Sequence, residues 1–314
     1  MICSVVIPTY NRPDQIAAAL DALAAQYESD APFAVIVVDD GSEPALSISN
    51  RDRPFPVNLV RLTENRGRAA ARNAGISAVD TPLTVFLDDD IRVEPGYMRA
   101  VQNRIDPEGS EIGIGHVVFH PDVRRDALTR YLETRGVAKL APDARIPYRY
   151  FLTYNSAVPT YLLHTVGGFD ERLRAWGGED LELALRLERA GGVFLRIPEA
   201  KALHMHSRDV SGVWDVSMRF ARDSMPILFE THPELVRELH ADVLGPDAQI
   251  RSLRRVAVRT VTREPLPDWL RAAMSRWPDI PWPMRAFDYL IASAWRRGLD
   301  EATKRRSEVR NESM

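Results

Sequence analysis

An α/β fold, with a mostly parallel sheet covered by helices on both faces, follows from three features of this 314-residue chain. Apolar runs rich in β-branched residues recur at 2–7 (ICSVVI), 34–38 (AVIVV), 57–62 (VNLVRL) and 83–87 (LTVFL). Segments with apolar residues at helical spacing separate them, and strands alternating with helices build βαβ units. Three of the runs break directly into polar clusters: Pro8-Thr9-Tyr10-Asn11, Asp39-Asp40-Gly41-Ser42 and Asp88-Asp89-Asp90. Ligands of open sheets gather beyond the carboxyl ends of the strands, so Thr9, Asp39 and Asp88 are expected on one rim.

Each element has its own justification. After the first strand, Pro13 suits the first turn of a helix that carries Ile16, Leu20 and Leu23 at helical spacing. The second run and, but for Thr84, the fourth are apolar throughout, as burial on both faces requires, and the alanine-rich segment 68–79 between the third and fourth is helical. Beyond Asp90 the rhythm changes, with a helix over 95–105, an extended run at 112–119, a polar helix over 122–136 and another extended run at 150–157. A short helix at 161–166 closes on Gly167-Gly168, and Trp176-Gly177-Gly178 leads into a helix that begins with Glu179-Asp180 and carries Leu181, Ala184 and Leu185. Extended pieces at 193–197 and 202–206 follow, then helices separated by prolines. These elements predict a domain over 1–210, whose halves 1–90 and 91–210 wall a cleft, and a helical extension over 211–314.

Composition narrows the class. Hydrophobic content of 45%, charged content of 27% and a net charge of −3 describe an ordinary soluble protein. A nucleic-acid binder would show a basic excess, so no nucleic-acid partner is expected. The single cysteine, Cys3, allows neither an intrachain disulfide nor a cysteine metal site. With no leader-like N-terminus and no run of about 18 apolar residues, a cytoplasmic protein without a membrane span is expected, peripheral contact remaining open.

The chemistry concentrates at Asp88, Asp89 and Asp90. If the extended geometry persists, side-chain alternation turns Asp88 and Asp90 one way and Asp89 the other. Three adjacent carboxylates repel, and a divalent cation such as Mg²⁺ or Mn²⁺, which bridges carboxylates to substrate phosphates, cancels that repulsion. An acidic turn that caps the next helix is the competing possibility.

Six motifs in order weigh against the bare cap: Val5 through Asn11, Val37 through Ser42, Asn65-Arg66-Gly67 with Ala71 through Gly75, Leu87 through Asp90, Gly167 through Glu171, and Trp176 through Asp180. Together they resemble the family 2 glycosyltransferases, over roughly residues 1–210. The resemblance implies a GT-A type, Rossmann-like sheet and a metal-dependent, inverting transfer of a sugar, of hexosyl or N-acetylhexosaminyl type, from a nucleotide-sugar donor, a UDP-sugar above others, to a hydroxyl on a glycan, lipid-linked or small-molecule acceptor. It gives nucleotide-sugar contacts to Pro8, Thr9, Tyr10 and Asn11. Asp39 would accept the imide N–H of uracil, a suitable task for a group that only accepts. Asn65, Gly67, Arg68 and Arg72 would face the nucleotide, although an ion pair between Arg72 and one of the acids fits equally well. Asp88 and Asp89 would serve ribose and donor, and Asp90 the metal, with His204 or His206 beside it. Asp180, with Glu179 next to it, would be the general base. Trp176 and Gly178 would lie on the acceptor side, Trp176 as a sugar-stacking platform or as a buried structural residue.

Two further classes compete. Sugar-phosphate nucleotidyltransferases carry a glycine- and arginine-rich loop after the first strand, where this chain has Pro8-Thr9-Tyr10-Asn11. A non-catalytic sugar-nucleotide binder would be expected to lack Asp90 or Asp180, and both are present.

Overall fold

The structure is a computed structural model that describes residues 2–27, 31–48, 53–135, 140, 145–246, 258, 260–263 and 265–312. They form two compact units. The first comprises 1–123, 133–174 and 179–207, the second 124–132, 175–178 and 208–314.

The first unit is built on one sheet. Its strands are β1 (Cys3–Thr9), β2 (Phe33–Asp39), β3 (Val57–Arg61), β4 (Leu83–Leu87), β5 (Ile91–Val93), β6 (Glu111–Phe119), β7 (Asn155–Pro159) and β8 (Val193–His204). The spatial order is β3-β2-β1-β4-β7-β6-β8-β5. Pairing is parallel from β3 through β4 and between β6 and β8, while β7 runs antiparallel to both neighbours and β5 runs antiparallel to β8. Alternation sorts the strands' side chains onto two cores. Val5, Val35 and Val85 face one side with α1 (Pro13–Ala25) and α3 (Tyr97–Arg104); Val6, Ile36 and Phe86 face the other with α2 (Arg68–Ser77), α5 (Thr160–Val166) and α6 (Glu179–Arg189). Helix α2 lies so close to β1 that a Cβ at Gly75 would collide with the Val6 side chain.

Three local expectations are revised. The strand predicted at 150–157 is a 3₁₀ turn at Tyr148–Tyr150 followed by β7, displaced toward the C-terminus. The two pieces predicted at 193–197 and 202–206 are one strand, β8, whose register against β6 jumps from Gly115↔Ile197 to His116↔Lys201. Pro198 lies in the looped-out stretch, and its missing N–H suits a bulge. The polar helix predicted over 122–136 is α4 (Ala127–Glu133); its predicted end at Gly136 lies outside the described residues.

The second unit is helical, with α7 (Val210–Arg219), a π turn at Phe220–Ser224, α8 (Met225–Thr231), α9 (Leu266–Arg276) and α10 (Met284–Glu312) among its elements. Its core joins Leu128 and Tyr131 to Trp214, Met274, Phe287 and Leu290.

Candidate active site

Parallel registry places the rim. Thr9 sits opposite Asp39, and the Asp40 amide donates to the Thr9 carbonyl at 2.9 Å, so β1 and β2 deliver their polar ends side by side. Beyond Thr9, Tyr10 is exposed, Pro8 half-buried, and Asn11 takes φ +54°, an αL conformation that asparagine tolerates. Asn11 joins this loop to the next: its amide donates to Ser42 Oγ at 2.8 Å, and its Oδ1 accepts from the Glu43 amide at 2.8 Å.

Asp39 is fully buried and accepts from the Ser42 amide (2.9 Å), the Leu46 amide (3.2 Å) and Arg61 Nη1 (2.9 Å). Burial pushes its carboxyl up, but the bonds from Ser42 and Leu46 and the Arg61 charge outweigh it and hold the group below the usual range. Asp39 thus organises the 42–46 loop. Asp39→Asn should lower stability by about 2 kcal/mol in chemical denaturation, because the amide cannot accept from all three donors; an unchanged midpoint would show that the loop does not depend on the charge. Asp40 holds the neighbouring loop by accepting from the amides of Arg66 (2.8 Å) and Gly67 (2.9 Å). Asn65 and Arg68 are exposed on either side of Gly67, with Arg68 opening α2.

The three acids after β4 do not keep the alternation of a strand. The chain turns there, the Ile91 amide donating to the Asp88 carbonyl at 3.1 Å, and each carboxylate takes a different partner. Asp88 Oδ1 accepts from Arg72 Nη2 at 2.9 Å. Asp89 is buried and accepts from Thr9 Oγ1 at 2.7 Å and Arg12 Nη1 at 3.2 Å. Asp90 faces His204, because β5 pairs antiparallel with β8, setting Ile91 opposite His204 and letting the Met205 amide donate to the Asp90 carbonyl at 2.9 Å.

Asp90 is the group best suited to a metal. Its Oδ1 is buried without a hydrogen bond and lies 3.4 Å from His204 Nε2, while Oδ2 is 3.7 Å from Arg12. Burial pushes this carboxyl up, but His204, Arg12 and His206 together hold it below the usual range. His204 is itself fixed between the rings of Tyr154 (6.0 Å, stacked) and Phe119 (5.6 Å), whereas His206 is exposed. Among the described residues no three His, Cys, Asp or Glu side chains converge as a closed cage. One carboxylate and one imidazole fit a cation that takes its remaining ligands from water and substrate phosphates.

On α6 the two acids part company. Glu179 is 3% exposed, with Oε1 3.3 Å from Arg72 Nη1 and Oε2 without a partner. Burial, reinforced by Asp180, pushes its carboxyl up to about 7, against the pull of Arg72 and Arg68. Asp180 is half-buried, and its carboxylate is held by Thr153, with Oγ1 donating to Oδ1 at 2.7 Å and the amide to Oδ2 at 3.4 Å. Although Asp180 stands in the first turn of α6, where the helix dipole favours an ionised carboxylate, burial and Asp88 raise its carboxyl, only partly offset by Arg72 and Thr153. Arg72, 2% exposed, therefore spans Asp88 and Glu179, and the ion-pair alternative for this residue is what the structure contains.

The remaining acceptor-side candidates belong to the second unit. Trp176 is 38% exposed rather than buried, with the Arg208 guanidinium 5.2 Å over its ring. Gly178 adopts φ +102°, and a Cβ there would press to 3.2 Å on Phe220 and Ser224 of the π turn.

Sequence reasoning missed Arg12, Arg61, Thr153 and Tyr154. Arg12 alone carried a signal, standing directly after the first motif.

A sheet whose rim gathers acids from the ends of β2 and β4 beside the polar end of β1, with a carboxylate at the start of a later helix, is the architecture of GT-A glycosyltransferases. The glycosyl transferase family 2 model matches residues 4–168, just over half of the chain, and a model described as the N-terminal domain of galactosyltransferase matches 135–208. The chain belongs to glycosyl transferase family 2. A validoxylamine A glucosyltransferase from Streptomyces hygroscopicus subsp. limoneus is 30% identical, over 76% of this chain and 58% of that protein. Hyaluronan synthase of Pasteurella multocida is 25% identical over 72% of this chain and 27% of its own length. Thus the chain spans under two thirds of these curated relatives. In fold, it resembles mannosyltransferase PcManGT from Pyrobaculum calidifontis, solved with GDP-Man and Mn²⁺ (TM-score 0.55, 21% identity, 96% of this chain and 88% of that one). It also resembles S. aureus TarS 1-349, solved with UDP (TM-score 0.52, 16% identity, 97% and 92%).

Proposed function

We propose that the protein is a metal-dependent, inverting glycosyltransferase that moves a sugar from a nucleoside diphosphate, with UDP favoured, to a hydroxyl acceptor. The observation that carries this reading is the contrast at α6: Asp180 is held half-open by Thr153 while Glu179 is sealed against Arg72. Asp180 takes the acceptor hydroxyl's proton as its oxygen bonds to the anomeric carbon. A raised proton affinity suits that task, since a base works best with a pKa near the working pH. Thr153 fixes the direction of the carboxylate, and Arg72 limits its charge repulsion with Asp88 and Glu179. On the donor side Asp88 and Asp89 meet the ribose and donor, and Asp39 accepts the uracil N–H. Asp90 with His204 would hold Mn²⁺ or Mg²⁺, whose chemistry is to neutralise charge on the departing diphosphate. The resemblance to folds solved with UDP, or with GDP-Man and Mn²⁺, supports this assignment.

Nucleotide release from a panel of UDP-, GDP- and TDP-sugars, with and without Mn²⁺, followed by the anomeric configuration of the product, tests the reading. Retained configuration overturns the single-displacement mechanism. Separately, calorimetry should show UDP binding tightening when Mn²⁺ is added, with Asp90→Ala removing most of that gain. Equal UDP affinity with and without Mn²⁺ would remove Asp90 from the metal role.

A further inference from the structure

Six of the twelve large apolar side chains that stand exposed among the described residues fall within residues 261–284 of the second unit. They are Val261, Leu266, Trp269, Trp277, Ile280 and Met284, with Trp269 66% and Trp277 52% exposed. An isolated exposed apolar residue is ordinary, but such a concentration marks an interaction surface. Helix α9 shows how it arises. Pro267, Ala273 and Met274 are buried and Leu270 packs on the core with Trp214 and Phe287, which turns Trp269 outward together with Arg276, seven residues later on the same face. The turn after α9 satisfies its own polar groups, the Trp282 indole N–H donating to the Trp277 carbonyl at 3.0 Å and the Ile280 amide to the same oxygen at 3.3 Å. Trp282 packs on the core, while Trp277 and Ile280 remain outside.

The charges around these residues select the partner. Asp268 is engaged by Arg271 at 3.2 Å and Asp279 by Arg124 at 2.7 Å. Arg263, Arg276 and Arg285 are exposed, and no carboxylate among the described residues pairs with them. We infer that this face docks on an anionic lipid surface, with Trp269, Trp277 and Ile280 entering the boundary between headgroups and acyl chains and the arginines meeting lipid phosphates. The contact is interfacial, because no helix among the described residues is long and apolar enough to cross a membrane. A second copy fits the surface less well, since a two-fold contact across this face would bring the unpaired arginines of both copies into one interface.

Co-sedimentation of the full chain with vesicles tests the inference. Binding should be strong to phosphatidylglycerol–phosphatidylcholine vesicles and weak to pure phosphatidylcholine, should fall with salt, and should shift tryptophan fluorescence to the blue. W269S/W277S and, separately, R276Q/R285Q should each weaken it about tenfold or more while UDP affinity stays unchanged. If the serine pair does not fold by circular dichroism, the glutamine pair decides the question. Failure to sediment with either vesicle, sedimentation indifferent to every variant that folds, or a parent dimer in light scattering that these substitutions dissociate would each overturn the inference.

Discussion

Asp180→Asn should lower the initial rate of sugar transfer by at least about a hundredfold while leaving UDP affinity nearly unchanged, because general-base catalysis contributes roughly 10²–10⁴ in rate. The amide keeps the shape of the carboxylate and can still accept from Thr153 Oγ1, so the site should retain its form while losing the ability to take a proton. Donor-side residues Asp39, Asp88, Asp89 and Asp90 are untouched. Glu179→Gln should cost less, since a side chain 3% exposed and turned to Arg72 does not present its oxygen to an acceptor. Nucleotide titration and initial rates on the two variants suffice. If Asp180→Asn transfers at near the parent rate while Glu179→Gln is inactive, the base is the other carboxylate; if both are active, neither acid of this helix start is the base.

The largest effect on stability is expected at Arg72. Its guanidinium is the positive charge between Asp88 and Glu179, and it also lies 5.7 Å from the centre of the Phe169 ring. Arg72→Met should cost about 3–5 kcal/mol, the usual consequence of removing one partner of a buried pair and leaving a carboxylate uncompensated. The sign of the pH dependence follows from Glu179. Its carboxyl is already raised from 4.5 to about 7 with Arg72 present, and must rise further without it. A raised folded-state value contributes stability that is complete below the unfolded value and is lost as pH rises through the folded one. The deficit of Arg72→Met relative to the parent should therefore be largest at pH 8 and shrink as pH falls toward 5. Denaturant melts of both proteins at the two pH values measure this; a deficit that is the same at both would mean that lost packing, rather than the unpaired charge, sets the cost.

The strands and their polar ends were legible because a short, uninterrupted, β-branched run between turn residues fits little besides a buried strand, and parallel pairing then forces Thr9, Asp39 and Asp88 onto one rim. Less legible was whatever depends on pairing across distance in sequence. Strand β5 has only three residues and no pattern to detect, yet it brings Asp90 to His204, 114 positions later. The bulge in β8 merged two apparent strands. Arg72 and Glu179 are separated by 107 positions, so their ion pair could be offered only as an alternative. Thr153, an unremarkable threonine in sequence, gains its importance only when the fold sets it against Asp180.

The interleaving of the two units has a consequence for synthesis on the ribosome. Helix α4 is made early, but Tyr131 packs against Phe287, their rings 4.8 Å apart, and Leu128 shares that core with Leu290. At roughly 5–20 residues per second, the partners of α4 emerge on the order of 10–30 s after the helix itself. During that interval the apolar face of α4 is a nascent surface without its native cover. It is there, rather than at the parallel sheet whose early strands follow one another closely, that a stalled or truncated chain would expose a sticky patch to chaperones and to neighbouring chains.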